Sequence, residues 1–490
     1  MSNTLRTLTL CLVGLPYFVG CATSRKLATR EEPLSPIVSP NQTVESSTVE
    51  AETSDIVPVS HDVAAVGEFS PAESDSQEWN PSLAHDALSL EDLEALAMEH
   101  NPSIRQAMFA ASKAAGVRTQ VGLKPNPEVG YSGQQLIDEN SAGQNGPYVT
   151  QTFVTANKLN LNRAVLDRDV QSLLWEAEAQ RYRVRTDLRL KFYDALAAQR
   201  RLALAREFHE VATKGVEIAE KRLNALEGAK PDVLQAEIQL SEVDLIVQRS
   251  EIEFDAAWKG LVTIVGLPHL PPAELLGTLG PVEESIDVEL VYHELIAVSP
   301  QLQAARARVD RARANISRQS VQAVPNVTAQ VGAGADDATG DPYLNLQLSV
   351  PLPVHNQNQG NQQAAQAELC RALQEVQRLE LAVTAELVQV MQEFRVGRVS
   401  IELYENTIIP KAQETLDLSE QAYLAGEFDF LRVLTVRRTF FETNLQYVQS
   451  LASAAKAEAR IEGMLLSGGL DDVPDFDGDD GLRDQALGGE

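Results

Sequence analysis

The feature of this sequence that most constrains its fold is an internal repetition with a period of about 200 residues, far longer than the roughly 20–50 residues of a solenoid repeat. Three pairs of segments match in residue type and order: residues 99–107 with 297–305, residues 124–129 with 324–327, and residues 225–234 with 423–434. A chain that repeats itself once at this spacing is expected to contain two copies of one half-domain, each with the same order of helices and strands.

The composition indicates a helical protein with an acidic, well-solvated surface. Aromatic residues make up only 5% of the 490 residues, which favours helices packed through small side chains over one thick core. The net charge is -29, with 41 basic against 70 acidic residues. Because nucleic-acid phosphates are bound by clustered Lys and Arg, nucleic acid is excluded as a partner.

The N-terminus is typical of a secretion signal, predicted over residues 1–20. Arg6 precedes a short apolar run over residues 8–18, which is too brief to span a bilayer of roughly 20 helical residues. Cys21 ends a sequence that resembles a bacterial lipobox, so it is predicted to carry the lipid anchor. Ala22 follows it instead of an aspartate, which favours sorting to the outer membrane. The alternative is ordinary cleavage nearby, with Cys21 idle.

Two regions outside the repeats have no helical or strand periodicity. Residues 21–84 are rich in Ser, Thr, Glu, Pro and Val and are predicted to form a flexible linker. Residues 467–490 contain seven aspartates. A calcium-binding loop starting at Asp475 is disfavoured because Asp480 occupies the position that requires glycine. We therefore predict a disordered acidic tail.

The chain is predicted not to be an enzyme and to need no cofactor or metal. Thr213 stands where a zinc-protease helix beginning at His209 needs a second histidine, and Asp337 follows Gly334 where a dinucleotide loop needs glycine. The histidines and methionines are scattered. With the lipobox cysteine acylated, Cys370 has no disulfide partner and is expected to be a small buried residue on a helix.

The two predicted repeats, residues 85–286 and 287–466, share the order helix, two strands, long helix, turn and shorter helix. The opening helices are expected over residues 90–122 and 289–322. The long helices, residues 158–226 and 357–424, contain few breakers, although a bend is expected at Pro410. Sevenfold apolar spacing, which is typical of coiled coils, recurs in both halves, for example at Leu387, Phe394, Ile401 and Ile408.

The strands of the second half alternate with period two, which indicates one apolar and one wet face. The polar side is formed by Tyr343, Asn345, Gln347 and Ser349, and the apolar side, predicted to face lipid, by Leu344, Leu346, Leu348 and Val350. The two strands of the first half alternate more weakly. Four strands cannot close a barrel in lipid, whereas three chains would supply twelve. The alternative is a soluble sheet packed on the helices.

Residues 404–437 carry a family signature: Ile408-Ile409-Pro410, Leu418, Ala422-Tyr423, Gly426, Phe430-Leu431 and Val433-Leu434. Together with the duplication, the Pro-Asn strand starts and the lipobox, it resembles the lipidated multidrug and heavy-metal efflux branch of the TolC-type outer-membrane efflux proteins. The resemblance covers about residues 85–466. It implies a homotrimer whose twelve-stranded barrel in outer-membrane lipid continues into an α-helical coiled-coil barrel across the periplasm. It further implies a passive exit duct for an inner-membrane pump, joined by a periplasmic adaptor.

The resemblance also places candidate functional residues at the turns after the long helices. Gly228 and Gly426 would lie at the periplasmic tips where the adaptor docks. Asp232, Glu427 and Asp429 would form rings of three carboxylates at the constriction, and such rings favour cations. The alternative is that these acids only solvate the turns or favour the next helix N-terminus.

Two other classes remain open at this point. A periplasmic adaptor would also be secreted and lipidated, but it would carry one helical hairpin between β-rich halves. A structural coiled-coil lipoprotein would not need the alternating strands. The exported substrate is not specified by the sequence, since a duct selects weakly.

Overall fold

The computed structural model describes residues 87–134, 143–226, 228–280, 285–337 and 339–488, and of Phe430 the backbone. The predicted signal peptide, the lipid-anchor residue Cys21 and the linker lie outside the described residues.

The two halves share the order of two helices, two strands, a long helix and a shorter helix, which confirms the predicted duplication, and the first half has two further short strands. The first half contains β1 (Ala87–Ser89), α1 (Leu90–His100), α2 (Pro102–Val121), β2 (Glu128–Gln134), β3 (Gln144–Phe153), α3 (Lys158–Asn224), α4 (Lys230–Val265) and β4 (Glu274–Leu276). The second half contains α5 (Val288–Val298), α6 (Pro300–Ser320), β5 (Val327–Asp336), β6 (Pro342–Ser349), α7 (Gln359–Leu403), a π-helical segment (Tyr404–Ile408), α8 (Ile409–Leu424) and α9 (Phe430–Glu462). A last short helix, α10 (Leu482–Leu487), follows.

Each opening helix is divided in two, which the sequence prediction missed. Asn101 ends α1, and its side chain accepts a hydrogen bond of 2.9 Å from the Ser103 N–H and so caps α2. Pro102 and Pro300 occupy the first turn of α2 and α6, where a missing N–H costs nothing. The proline therefore starts a new helix in both halves. In each half the chain changes direction between the first helix and the second.

The long helices set the dimensions of the fold. The 67 residues of α3 extend over roughly 100 Å at 1.5 Å per residue. The second long helix is interrupted by the π-helical segment just before Pro410, which lacks the N–H of a regular turn. Leu387, Phe394 and Ile401 of the sevenfold pattern are buried. No helix in the described part of the chain combines the length and the apolar character needed to cross a bilayer.

The largest apolar cluster lies where α1, α3 and α4 meet the small parallel pair β1–β4, and includes Trp258, Leu188 and Phe192. A second cluster joins α5, α7 and α9 around Leu295 and Phe394. Small residues allow the helices to approach closely, as predicted from the composition. A Cβ on Gly397 of α7, for instance, would lie 2.9 Å from the Ala454 Cβ of α9.

The predicted disordered acidic tail is wrong for residues 467–488, which pack against α2, α3 and α6. Phe476 and Leu482 are buried in a cluster with Val165 and Leu166 of α3. Two of the seven aspartates have basic partners: Asp480 pairs with Arg311, and Asp475 with Lys113 at 2.7 Å. The four apolar residues Val473, Phe476, Leu482 and Ala486 supply the buried surface. They are too widely spaced to produce a periodic pattern in the sequence.

The tail is also held by backbone groups. The amides of Gly468 and Gly469 donate to the Asp187 carboxylate at 3.2 and 2.7 Å, and the Gln180 side chain donates to the Gly469 carbonyl at 2.8 Å. Burial raises the pKa of the Asp187 carboxyl, and nearby Asp471 adds to this effect, while the two amide donors oppose it. The start of the tail is therefore fixed to the middle of α3.

Cys370, predicted to be buried, is exposed. The buried stripe of this part of α7 runs through Ala365, Ala372 and Leu379 at sevenfold spacing. Cys370 lies two residues before Ala372, which turns it away from that stripe.

Candidate functional site: the four-stranded sheet and the helix tips

The four long strands form one antiparallel sheet in the order β2-β3-β5-β6, so the strands of the two halves meet at β3 and β5. The register places Val129 opposite Val149, Val149 opposite Val331, and Val331 opposite Leu346. Directly opposed residues of antiparallel strands project from the same face. The apolar residues of all four strands therefore lie in common rows.

One face of the sheet is apolar and exposed on all four strands. Leu344, Leu346 and Leu348, predicted from the alternation, are 76%, 65% and 66% exposed. Val350 lies one residue beyond β6 and is also exposed. The register adds exposed residues from the other three strands: Val129, Tyr131, Val149, Phe153 and Val331.

The opposite face is polar or small. Gly130, Tyr148, Gly332 and Asn345 form one of its rows. Thr152 and Thr328 are cross-strand neighbours in another, with their hydroxyl oxygens 3.2 Å apart. This face would suit a watery lumen, and the apolar face would suit lipid.

The sheet is open at both edges within the described chain. Strands β2 and β6 each pair with one neighbour, β3 and β5 respectively. Unpaired edge N–H and C=O groups cannot remain exposed in lipid, and they readily accept another strand. A second copy of the sheet is the natural complement of such an edge.

The turns at the far ends of the long helices pack side by side. The Arg222 guanidinium of α3 lies 4.6 Å from the centre of the Tyr423 ring of α8 and donates to the Tyr423 carbonyl at 3.4 Å. Val233 of α4 and Leu434 of α9 lie in the apolar cluster beneath this contact. The two hairpin tips of one chain therefore form a single surface.

The predicted glycines have different roles at the two tips. Gly426 adopts the left-handed conformation, with φ of 80°, as expected for a glycine that ends a helix. At the first tip the left-handed residue is Leu226, with φ of 62°. Gly228 instead allows a close approach, since a Cβ there would lie 3.1 Å from the Leu223 nitrogen. Gly228 therefore lies in the first turn, as expected, but Leu226 supplies the left-handed conformation there.

The predicted constriction residues Asp232 and Asp429 both bind the start of the following helix. Asp429 precedes α9, and its carboxylate accepts from the Arg432 N–H at 3.0 Å. Asp232 lies in the first turn of α4 and accepts from the Ala229 N–H at 3.2 Å. Each tip thus makes one of the two hydrogen bonds of a capping box. Glu427 is exposed in the second turn.

Among the described residues, no group of three or more His, Cys, Asp or Glu side chains could hold a metal ion. A cavity of about 1180 Å³ lies between α3, α9 and the segment around β4. Its lining is mainly apolar, with residues such as Leu202, Pro272 and Val448.

Comparison with known proteins gives a consistent result. Residues 291–465 match the family described as "Outer membrane efflux protein". The cobalt-zinc-cadmium resistance protein CzcC of Cupriavidus metallidurans is 25% identical over 396 residues, which cover 79% of this chain and 91% of that protein. The pyoverdine export outer membrane protein OpmQ of Pseudomonas putida is 23% identical over 305 residues, which cover 59% of this chain and 65% of that protein. The solved structure of CusC aligns with a TM-score of 0.65 at 15% identity, covering 77% of this chain and 92% of that one.

The paired long helical hairpins and the sheet give this chain the fold of the solved channel CusC. Its residues 291–465 match the outer membrane efflux protein family. The fold class and the family resemblance inferred from the sequence are therefore confirmed.

Proposed function

We propose that the protein is the outer-membrane exit duct of a tripartite efflux system. The observation that carries this proposal is the sheet, which is apolar and exposed on one face, polar on the other, and open at both edges. Three copies, each pairing its β6 with β2 of the next, would close these edges into a twelve-stranded barrel. Lipid tolerates no open sheet edge, so closure is the arrangement that the bilayer requires.

The partners follow from the arrangement of the helices. The long helices would extend the duct into the periplasm, and the joined tips around Gly228 and Gly426 would meet a periplasmic adaptor and, through it, an inner-membrane pump. Acylated Cys21 would anchor each copy to the outer membrane. The duct is passive, and we assign it no catalytic reaction and no cofactor.

The cargo that we propose is a divalent metal cation. Support comes from the similarity to a cobalt-zinc-cadmium resistance protein, which extends over 91% of that protein. Rings made by Asp232, Glu427 and Asp429 would be compatible with cations at the mouth. The similarity to a pyoverdine export protein favours an organic cargo as the second candidate, and it covers a smaller share of the chain.

The duct is tested with purified protein in planar lipid bilayers. We expect discrete conductance steps and a trimer in mild detergent, and a stable monomer without conductance would contradict the proposal. The cargo is tested by deleting the gene from its host. Loss of resistance to cobalt, zinc or cadmium, restored by the intact gene, would support metal export, whereas unchanged metal resistance would contradict it.

A further inference from the structure

We propose that the first half of the chain binds the phosphate of an anionic phospholipid headgroup, in a pocket at the end of the sheet where the helices begin. This collar pocket, a cavity of about 470 Å³, is lined by Gly122, Leu123, Lys124, Lys158 and Arg163 with their neighbours. The inference rests on the proposed function, because it places this end of the sheet at the periplasmic leaflet of the outer membrane.

The collar pocket is basic in a chain that is strongly acidic. Lys124, Lys158 and Arg163 line it, and none of its lining residues is an acid. Within the described part of the chain, neither Lys124 nor Arg163 forms an ion pair or a side-chain hydrogen bond. Asp167, one turn along α3 from Arg163, pairs with Arg118 instead. Two of the three cations therefore remain available to an anion.

Lys158 is buried, and among the described residues it forms no ion pair. The residue is 2% exposed, and its Nζ donates to the Val324 carbonyl at 2.6 Å and to the Asn326 side-chain oxygen at 3.0 Å. Both acceptors are neutral. Burial and the neighbouring Arg318 lower the pKa of the Lys158 ammonium. A bound anion would supply the negative charge that the buried Lys158 ammonium lacks.

The position of Arg163 is fixed by its surroundings. A Cβ on residue 122 would lie 1.8 Å from the Arg163 Nε, so only glycine allows the guanidinium to rest against this turn. The first turn of α3 lines the same cavity, and the side chain of Asn157, which precedes it, makes no capping bond to the helix backbone. The positive end of the helix dipole adds to the three side-chain charges.

The second half serves as an internal comparison. The Pro-Asn pairs at 125–126 and 325–326, and the left-handed residues Asn157 and Asn358 before the long helices, define corresponding positions. By this correspondence Val324, Gln359 and Ala364 replace the three cations. The fold can therefore be built without positive charge at these positions, which favours a role in binding.

The surroundings of the pocket favour a lipid over free phosphate. Phe153, at the end of β3, belongs to the apolar face and is 56% exposed, and Leu123 of the pocket is 44% exposed. Basic side chains beside an exposed apolar surface match the headgroup and the acyl chains of one phospholipid. A free phosphate ion would use only the cations.

The test compares full-length wild-type protein with a Lys124→Gln/Arg163→Gln variant, which leaves buried Lys158 in place. An Arg181→Gln/Lys214→Gln variant is the control, because it removes the same charge from exposed sites further along α3. Each protein is reconstituted in mixed phosphatidylglycerol and phosphatidylcholine, extracted in mild detergent, and assayed for retained lipid by native mass spectrometry. We expect wild type and control to retain phosphatidylglycerol selectively. The pocket variant should retain about 25-fold less phosphatidylglycerol than wild type, because each of the two basic residues contributes about fivefold.

Equal retention by the pocket variant and the control would overturn the proposal. Displacement of the lipid signal by millimolar inorganic phosphate, with phosphate retained in its place, would overturn the lipid assignment in favour of a phosphate site. Bilayer conductance is recorded for the same samples. Normal conductance without phosphatidylglycerol selectivity refutes this inference alone, whereas the absence of conductance in wild type refutes the proposed function.

Discussion

The substitution Leu346→Arg tests which face of the sheet meets lipid. Leu346 lies near the middle of β6, opposite Val331, and is 65% exposed on the apolar face. An arginine at the bilayer midplane costs roughly 2–4 kcal/mol, so three copies would cost about 6–12 kcal/mol for each trimer. At 1.4 kcal/mol for each factor of ten, the assembled state should be disfavoured by at least about ten-thousand-fold.

The matched control is Asn345→Arg, on the next residue of the same strand. Asn345 faces the polar side opposite Gly332, which has no side chain to obstruct a longer neighbour. We expect this variant to reach the outer membrane as a heat-modifiable trimer, and the Leu346→Arg protein to be depleted from it. Trimer yield is measured by gel migration with and without boiling. Equal yields for the two variants, or a greater loss for Asn345→Arg, would refute the assignment of the faces.

Three further predictions concern the tips, the tail and the anchor. Asp429→Ala removes both a charge and a helix cap worth about 1 kcal/mol, whereas Asp429→Asn keeps the cap. If Asp429 forms a carboxylate ring, both variants should lower cation selectivity in bilayers. Unchanged selectivity in Asp429→Asn would mean that Asp429 only caps the helix. Leu482→Ala should destabilise the docked tail by roughly 2–5 kcal/mol and speed its proteolysis, while Leu470→Ala, at an exposed position, serves as the control. Cys21→Ser should abolish labelling by a radioactive fatty acid, and a labelled variant would rule out this anchor.

The second half could be read from the sequence because its signals are local. The alternation from Leu344 to Val350 and the sevenfold spacing from Leu387 to Ile401 each lie within one element. Such periods follow directly from strand and helix geometry. Because the sequence is duplicated, the same order of elements could be inferred for the first half.

The candidate site could be predicted only in part. Asp429 was recognised as a residue of the second tip, but its hydrogen bond to the Arg432 N–H and the contact between Arg222 and Tyr423 depend on the folded turns. The basic collar pocket gave no motif, because Lys124 and Arg163 are 39 positions apart in the chain (163 − 124). They come together only in the fold, because the antiparallel strands β2 and β3 bring the chain back to the end of the sheet where β2 begins.

The repeated order of elements, the long helices and the apolar face of β6 could be inferred from the sequence alone, since each follows from periodicity or from a local stop signal. The fold alone establishes that Val129, Val149 and Phe153 extend this apolar face, because strand register is a relation between segments. It also decided that the acidic tail is ordered. The partners of Asp475 and Asp480 lie 362 and 169 positions earlier in the chain, at Lys113 and Arg311, and no local pattern encodes contacts over such separations.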